Sequence, residues 1–434
     1  MADLVLIQEF NMEIFLNKKD GLLDNEIKEA IIESIKGREL KKVLIIPPDI
    51  TRFYSKAGYI TNVYYNLLKD TCEIDILPAL GTHDPMTKEE CLEMFGDIPF
   101  ERFIAHNWKE DVVKIGEVPS EYIKEITDGI WDESVDVEVN KLLLDRSYDL
   151  IISIGQVVPH EVIGMANHSK NIFVGVGGKS MINASHMIGA VYGMERMMGK
   201  DHTPVRKIFD YGCEHFIKDL PIIYALTVTT NPSLITKTHG LFIGDTRKVL
   251  EEAIKLSQEI NIDFLDKPIK KCVVYLEPKE FRTTWLGNKA IYRTRMAMED
   301  DGELIVLAPG ITRFGEDLEV DALIRKYGYC GRLKVLELFK NGNLDLINNK
   351  GTAAHLIHGS SDGRFKISYA VKNITKEEIA SVHFNPLDYD ETIKKYNIDV
   401  LKPGWNTLED EEEIFYIPNP ALGLWINKQK FGDD

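Results

Sequence analysis

YDLIISIGQVV (148–158) runs directly into PHEVIGMANHSKNIFVGVGGKSMINASH (159–186), and the reading of this stretch decides the fold. The first part is apolar without alternation, as expected of a strand covered on both faces in a parallel sheet. The second part gathers His160, His168, His186, Lys170, Lys179 and several glycines where that strand should end. Open α/β sheets bind ligands in the crevice beyond the carboxyl ends of their strands, so chemistry is expected here.

Working outward, similar β-rich runs recur at KVLIIPPDI (42–50), CEIDILPAL (72–80), NIFVGVG (171–177), KCVVYLEP (271–278), ELIVLAPG (303–310), RLKVLELF (332–339) and RFKISYAV (364–371). Amphipathic stretches such as YITNVYYNLLKD (59–70) and DALIRKYGY (321–329) lie between them, which predicts strand–helix alternation and mainly parallel sheets. TRKVLEEAIKLSQEINIDFL (246–265) reads as a connecting helix, closed by Asp266-Lys267-Pro268. The expected fold is therefore α/β, with two α/β domains, 1–267 and 268–405, and an active-site cleft between them. The tail 406–434 is expected to pack back on the first domain, because Leu422, Leu424, Trp425 and Ile426 need cover.

Composition narrows the function classes. A chain of 434 residues with 44% apolar and 28% charged residues can bury a substantial core. The net charge of -17 opposes nucleic acid and anionic membrane as partners, so an anionic small molecule must be held by a local group of cations. Five scattered cysteines with no CxxC pairing read as reduced core thiols, and the N-terminal MADLVLIQEFNMEIFL lacks the basic n-region of a secretion signal. A cytoplasmic protein is expected, and a homo-oligomer is compatible with the composition.

Two loops after early strands carry candidate groups. In PPDITR (47–52), Asp49 or Thr51 can cap a following helix, while Arg52 projects a fork of donors suited to a carboxylate or phosphate; a surface ion pair is the bland alternative. In LGTHDPMTKEE (80–90), Thr87 and Glu90 form a capping box that leaves His83 just beyond a strand end, where an imidazole can move a proton or simply hold the loop. His160, His168 and His186 match no compact zinc motif, and GVGG (175–178) lacks the third glycine of a dinucleotide loop. His355, His358 and the remaining histidines stand singly and read as structural or solvated, and HGSSDGRF (358–365) reads as a surface turn.

The order and spacing of these elements resemble the nickel-dependent lactate racemase family. That family carries a DxxR loop, here Asp49 to Arg52, and then a GxH loop, here Gly81-Thr82-His83. A PH follows, then a lysine ten residues after the His and a histidine sixteen beyond the lysine, which His160, Lys170 and His186 reproduce. Lys289 stands where the family has a second-domain lysine about a dozen residues before a strand-opening glycine, here Gly302.

The resemblance implies a racemase or epimerase that inverts C2 of a 2-hydroxy carboxylic acid by hydride transfer, through a 2-keto acid. The cofactor it implies is a nickel pincer nucleotide, a nickel pyridinium-3-thioamide-5-thiocarboxylate mononucleotide. Lys170 would be joined to its thioamide and His186 would be the protein's metal ligand. Asp49, Thr51 and Arg52 would order the loop beside it, Arg52 and Lys289 would hold the substrate carboxylate, and His83 and His160 would be the two proton-transfer groups. The sequence departs from the family where GMANHS (164–169) replaces a stretch of the type GFSGG, placing Asn167 and His168 at glycine positions. Trp285 and Leu286 stand near the family's tyrosine and glutamine. Trp285, Asn167 and His168 are therefore expected to line a rebuilt pocket that favours a sugar acid such as gluconate over lactate. Three alternatives stay open: a shifted register with Lys179 as the attachment point, an NAD-dependent hydroxyacid dehydrogenase, and a non-catalytic small-molecule-binding homologue.

Overall fold

Val43–Ile46 and Leu150–Ile152 are apolar at successive positions because the strands they form are covered on both faces. In the computed structural model, which describes residues 12–231, 235–421 and 423–430, these strands belong to two six-stranded sheets. The first sheet takes β1 (Ile14–Asn17), β2 (Lys42–Ile46) and β3 (Glu73–Ile76); β4 (Val112–Val118) and β5 (Val135–Asn140) form a separate hairpin. β6 (Leu150–Gln156) is followed by the two short strands β7 (Pro159–His160) and β8 (Gly164–Met165), and then by β9 (Ile222–Thr230) and β10 (Lys237–Gly244). The order is β1-β10-β9-β6-β2-β3, parallel from β9 to β3, with β10 antiparallel both to β9 and to the edge strand β1.

Alternate residues of the same strands feed two different cores. Val43, Ile45, Ile152 and Ile154 pack with Ile27, Ile31, Ile60 and Tyr64 of two helices. Leu44, Ile46 and Ile151 pack on the opposite side with Ile188, Phe209, Val249 and Leu250. The result is a three-layer α/β body.

β11 (Ile262–Leu265) leads into the second sheet, which contains β12 (Ile269–Tyr275), β13 (Met298–Ala308), β14 (Lys366–Val371), β15 (Asn385–Asp388), β16 (Gly404–Thr407) and β17 (Glu413–Ile417). Its order is β15-β14-β13-β12-β17-β16, with only β16 antiparallel. A final strand, β18 (Leu424–Asn427), pairs in parallel with β11. The helix Lys179–Tyr192 joins the two bodies: Ile182 and Ile188 lie in the first core, while Met187, Ala190 and Val191 lie in the second.

Three sequence expectations are corrected. The tail divides: β18 pairs with β11 at the end of segment 1–267, but most of the tail joins the second body. β17 sits beside β12 inside the second sheet, and Leu424, Trp425 and Ile426 are buried in the second core; Leu422 lies outside the described residues. NIFVGVG is not a strand but a π-turn over Asn171–Gly175, with Val176 N–H donating to the Asn171 carbonyl. RLKVLELF is a helix, Gly331–Lys340, whose Val335 is fully buried and whose Leu333 is exposed.

Candidate active site

The loops that follow β2, β3 and β6 converge at one end of the first sheet. Pro47 and Pro48 have no N–H for the ladder, and Asp49 then caps a 3-10 turn over Ile50–Ser55. One Asp49 oxygen accepts from Thr51 N (3.2 Å) and the Thr51 hydroxyl (2.5 Å); the other accepts from His83 Nδ1 at 2.6 Å. The His83 loop is held in turn by Gly81 N donating to the Gly175 carbonyl. Burial works against the charge of Asp49, whereas the His83 side chain is 46% exposed. The Asp49 carboxyl is nevertheless held below its ordinary range by its bond to His83, with Thr51 and Arg52 adding to the effect. The His83 imidazole is raised above its ordinary range by Asp49, helped by Glu316 of the second domain and opposed by Lys170.

The two imidazoles are set in opposite tautomers. Because Asp49 can only accept, His83 carries its proton on Nδ1 and offers Nε2 as an acceptor. His160 Nδ1 accepts from Val162 N (3.1 Å), so its proton lies on Nε2. Burial pushes His160 well below the usual histidine range; Glu161 opposes that, and Lys170, Arg52 and Arg293 add to it. His83 is thus poised to take a proton at Nε2, whereas neutral His160 presents an Nε2–H that can donate a hydrogen bond.

The GMANHS loop explains its own departure from glycine. Gly164, Asn167 and His168 have φ of +91°, +68° and +58°, so the chain keeps left-handed backbone that glycine would adopt without strain. Arg206, 1% exposed, fixes the loop by donating to Met165 O (2.7 Å), Asn167 O (3.2 Å) and Ser169 Oγ (2.8 Å). Asn167 lies over Gly155, where a Cβ would come within 1.7 Å of its amide nitrogen. His168 stacks on Tyr224 at 3.7 Å, and burial beside Arg206 and Arg247 holds it well below the usual histidine range. The expectation that Asn167 and His168 face the substrate is therefore corrected: the left-handed pair turns both side chains onto the sheet.

Lys170 follows this loop, and Asn171 anchors the π-turn after it by donating to Ile46 O and Ser153 Oγ, both at 3.1 Å. The Lys170 ammonium has no hydrogen-bond or ion-pair partner among the described residues. Burial lowers its pKa to about 8; Arg52 and Arg206 push it further down, while Glu161 and Asp49 oppose them. His186, on the helix Lys179–Tyr192, donates Nδ1–H to Ile182 O at 2.7 Å, which leaves Nε2 with a lone pair for a ligand. Lys179 is exposed at the start of that helix. GVGG serves packing: a Cβ at Gly177 would meet Phe173 O at 1.9 Å, and one at Gly178 would meet Glu138 Oε2 at 2.3 Å. Neither the shifted register nor a dinucleotide loop finds support in this geometry.

The second domain adds cations. Lys289 and Arg293 stand one turn apart on the helix Lys289–Thr294, so they share a face. Burial lowers Lys289 to about 8, with Arg52 and Arg293 adding to the effect. Burial lowers Arg293 to about 10; its Nε and Nη1 have no partner, and Nη2 reaches Ala421 O at 3.3 Å. Trp285 stacks on His355 at 4.0 Å, and His355 meets the Tyr292 hydroxyl at 2.9 Å. The structure thus brings Asp49, Arg52, His83, His160, Lys170, His186 and Lys289 into one electrostatic neighbourhood.

Three residues that the sequence reading passed over join this neighbourhood. Glu161 directly follows His160, and its carboxyl is held far below the usual range against the pull of burial, by His160 and Arg293 above all. Arg293 was open to discovery from its spacing to Lys289. His358 is buried rather than solvated, with Nε2 unpartnered, and burial lowers it to about 3 while Glu161 opposes. Ser360 and Ser361 are buried as well, so within HGSSDGRF only Asp362 and Gly363 form an exposed turn. No isolated sequence signal marks His358.

The Asp49–His83 pair sets a pH dependence. A base raised by a carboxylate must lose its proton before it can act, so the acidic limb of kcat/KM should fall above pH 6.5 in the native protein. Asp49→Asn removes the charge that stabilises the imidazolium, and the limb should move to lower pH with a reduced plateau. A pH–rate profile in which the limb stays in place would separate His83 from that limb.

Among the described residues, no helix is long and apolar enough to cross a membrane, and no group of three or more His, Cys, Asp or Glu side chains could hold a metal ion. Residues 18–198, which hold Asp49, His83, His160, Lys170 and His186, match the family of the lactate racemase N-terminal domain. No curated protein matches the chain. Among solved structures, a Thermotoga maritima protein from a structural genomics programme is 25% identical, with a TM-score of 0.82 over 95% of this chain and 100% of that one. The lactate racemase apoprotein from Thermoanaerobacterium thermosaccharolyticum is 17% identical, with a TM-score of 0.69 over 94% and 93%. Over residues 18–198 the chain is thus similar to the lactate racemase N-terminal domain, and over nearly its whole length it shares the fold of the lactate racemase apoprotein.

Proposed function

We propose that this protein racemises or epimerises C2 of a 2-hydroxy carboxylic acid with a nickel pincer nucleotide, and that it prefers a polyhydroxylated acid of the aldonate class to lactate. The observation that carries the reading is Lys170: a half-buried ammonium with no hydrogen-bond or ion-pair partner among the described residues, lowered to about 8. An ion left so is costly, and its neutral amine is a nucleophile available for a covalent link. His186 fits the second attachment, because its backbone bond fixes the tautomer that presents Nε2. The described residues offer no metal site of their own, which fits a single protein nitrogen completing a set supplied by the organic group.

When bound, such a group supplies a reversible acceptor for the hydride on C2. The chain's own residues do the rest. Arg52 and Lys289, from the two domains, fit the substrate carboxylate, which also answers the mutual repulsion of those cations. His83, oriented by Asp49, takes the hydroxyl proton at Nε2 in one substrate pose; His160 donates an Nε2–H hydrogen bond to the substrate oxygen on the opposite face. The buried position of His160 and Arg293 excludes water from the reacting carbon.

The test is an exchange experiment on protein made alongside the cofactor-producing machinery. A single C2 epimer of a 2-hydroxy acid should convert to a mixture, with the C2 hydrogen retained rather than exchanged with solvent deuterium. Free exchange of that hydrogen during inversion would contradict the reading.

A further inference from the structure

The helical turns Thr284–Gly287 and Lys289–Thr294 run on through Asn288, whose N–H donates to Thr284 O at 2.8 Å and whose carbonyl accepts from Tyr292 N at 3.0 Å. Residues four apart therefore lie on one face. Thr284, Asn288 and Tyr292 make one stripe and are buried. Trp285, Lys289 and Arg293 make the stripe beside it, where Trp285 and Lys289 are only half-buried. His355, on the helix Lys350–His358, sits where the two stripes meet: its Nδ1 lies 2.9 Å from the Tyr292 hydroxyl, and the Trp285 indole stacks on its ring at 4.0 Å and 28°. A single hydrogen-bond chain locks that ring. Thr284 Oγ1 donates to Phe314 O (3.0 Å) and so accepts from the Tyr329 hydroxyl (2.6 Å). Tyr329 accepts in turn from His355 Nε2–H (3.3 Å), which leaves His355 Nδ1 to accept from Tyr292. The Phe314 carbonyl that ends the chain also takes the N–H of Trp285 at 2.9 Å. Trp285 is thus held twice by one chain, through its backbone and through its ring. Burial keeps His355 well below the usual histidine range, so the imidazole stays neutral and Nδ1 stays an acceptor.

Resting on the racemase reading above, in which Lys289 holds the substrate carboxylate, we propose that Trp285 is the wall on which the substrate's carbon chain beyond C2 lies, and that His355 is the positioning residue that sets the angle of that wall. Trp285 precedes Lys289 by one turn on the same face, which places their Cβ atoms about 5–6 Å apart. An extended six-carbon acid held at Lys289 spans that distance, whereas lactate ends at its methyl group. With one indole face on His355 and the side chain half-buried, aromatic surface stays open beside Lys289. The electron-rich face of an indole takes up the C–H side of such a chain. A ring already fixed by the Tyr329–His355–Tyr292 chain loses no rotamer freedom when the substrate arrives, so its contact counts in full toward binding.

The experiment compares gluconate and lactate on the full chain, by calorimetric titration of the unloaded protein and by KM and kcat of the loaded protein. Trp285→Leu and His355→Leu should each weaken gluconate relative to lactate by roughly tenfold, with the loss falling on KM rather than on kcat. Because His355 acts through Trp285, the double variant should lose no more than either single one. His355→Gln separates positioning from mere structure: its amide can accept from Tyr292 and donate to Tyr329 without offering a ring. It should keep the wild-type melting temperature yet show the raised KM for gluconate, and it keeps the test usable if His355→Leu fails to fold. Additive losses in the double variant, equal losses for gluconate and lactate, or a wild-type KM in His355→Gln would overturn the proposal while leaving C2 inversion intact. Gluconate binding that the variants weaken, in a protein that inverts no 2-hydroxy acid once loaded, would instead overturn the proposed function and leave the aromatic wall standing.

Discussion

Replacing Lys170 by alanine or methionine is expected to abolish activity and cofactor retention together, a fall of at least about 1,000-fold in kcat/KM. The same substitution should stabilise the unloaded protein. The folded state lowers the Lys170 pKa from 10.5 to about 8, so the native fold disfavours the charged amine. That cost is fully present below pH 8, shrinks as pH rises toward the unfolded value near 10.5, and disappears above it. Lys170→Met should therefore gain stability at pH 7 by up to roughly 3 kcal/mol, and gain little at pH 10.5. A variant that loses function while the unloaded fold grows firmer marks a residue kept for chemistry. His83→Ala should separate the two properties: activity should fall by roughly 100-fold or more while the cofactor stays bound. Cofactor retention after Lys170→Ala would contradict the assignment.

The second large effect is expected at Arg206. Its guanidinium is fully enclosed and serves three acceptors of the loop that delivers Lys170, two of them backbone carbonyls. Burial lowers its pKa, so the loop interactions must offset a real desolvation cost. Arg206→Met leaves those acceptors buried without donors, and a loss on the order of 3–5 kcal/mol is expected. Arg206→Lys should not restore it, because one ammonium cannot span acceptors at Met165, Asn167 and Ser169 with the planar fork that Arg provides. Chemical denaturation followed by near-ultraviolet circular dichroism checks both. Wild-type stability in Arg206→Met would mean that the loop holds its left-handed turns unaided.

Much of the fold is legible where burial leaves a periodic trace. The unalternating runs around 43–46 and 150–154 announce strands covered on both faces, and the Thr87–Glu90 capping box marks the helix Lys88–Phe95. NIFVGVG misleads because a short buried apolar run looks the same in a strand and in a packed turn. RLKVLELF misleads because its burial rests on single positions such as Val335 rather than on a continuous stripe. The tail was misplaced because sequence shows that Trp425 and Ile426 need cover, not which core gives it.

The site was legible through spacing: Asp49 to Arg52, Gly81 to His83, and His160, Lys170 and His186 carry a pattern along the chain. Asn167 and His168 were read as side chains added to a pocket, whereas both positions adopt left-handed backbone, which only φ values reveal. Glu161, Arg293 and His358 become significant through charges that the fold brings within range of one another, and no local rule reports those.

The central claim is that Lys170 and His186 jointly hold a nickel-bearing nucleotide. Intact mass spectrometry with metal analysis, on protein produced together with the cofactor-making enzymes, tests it most directly. The account predicts a single covalent adduct mapped to Lys170 and about one nickel per chain, with the nickel lost in His186→Ala; catalytically competent protein of unmodified mass, or an adduct at Lys179, would contradict it.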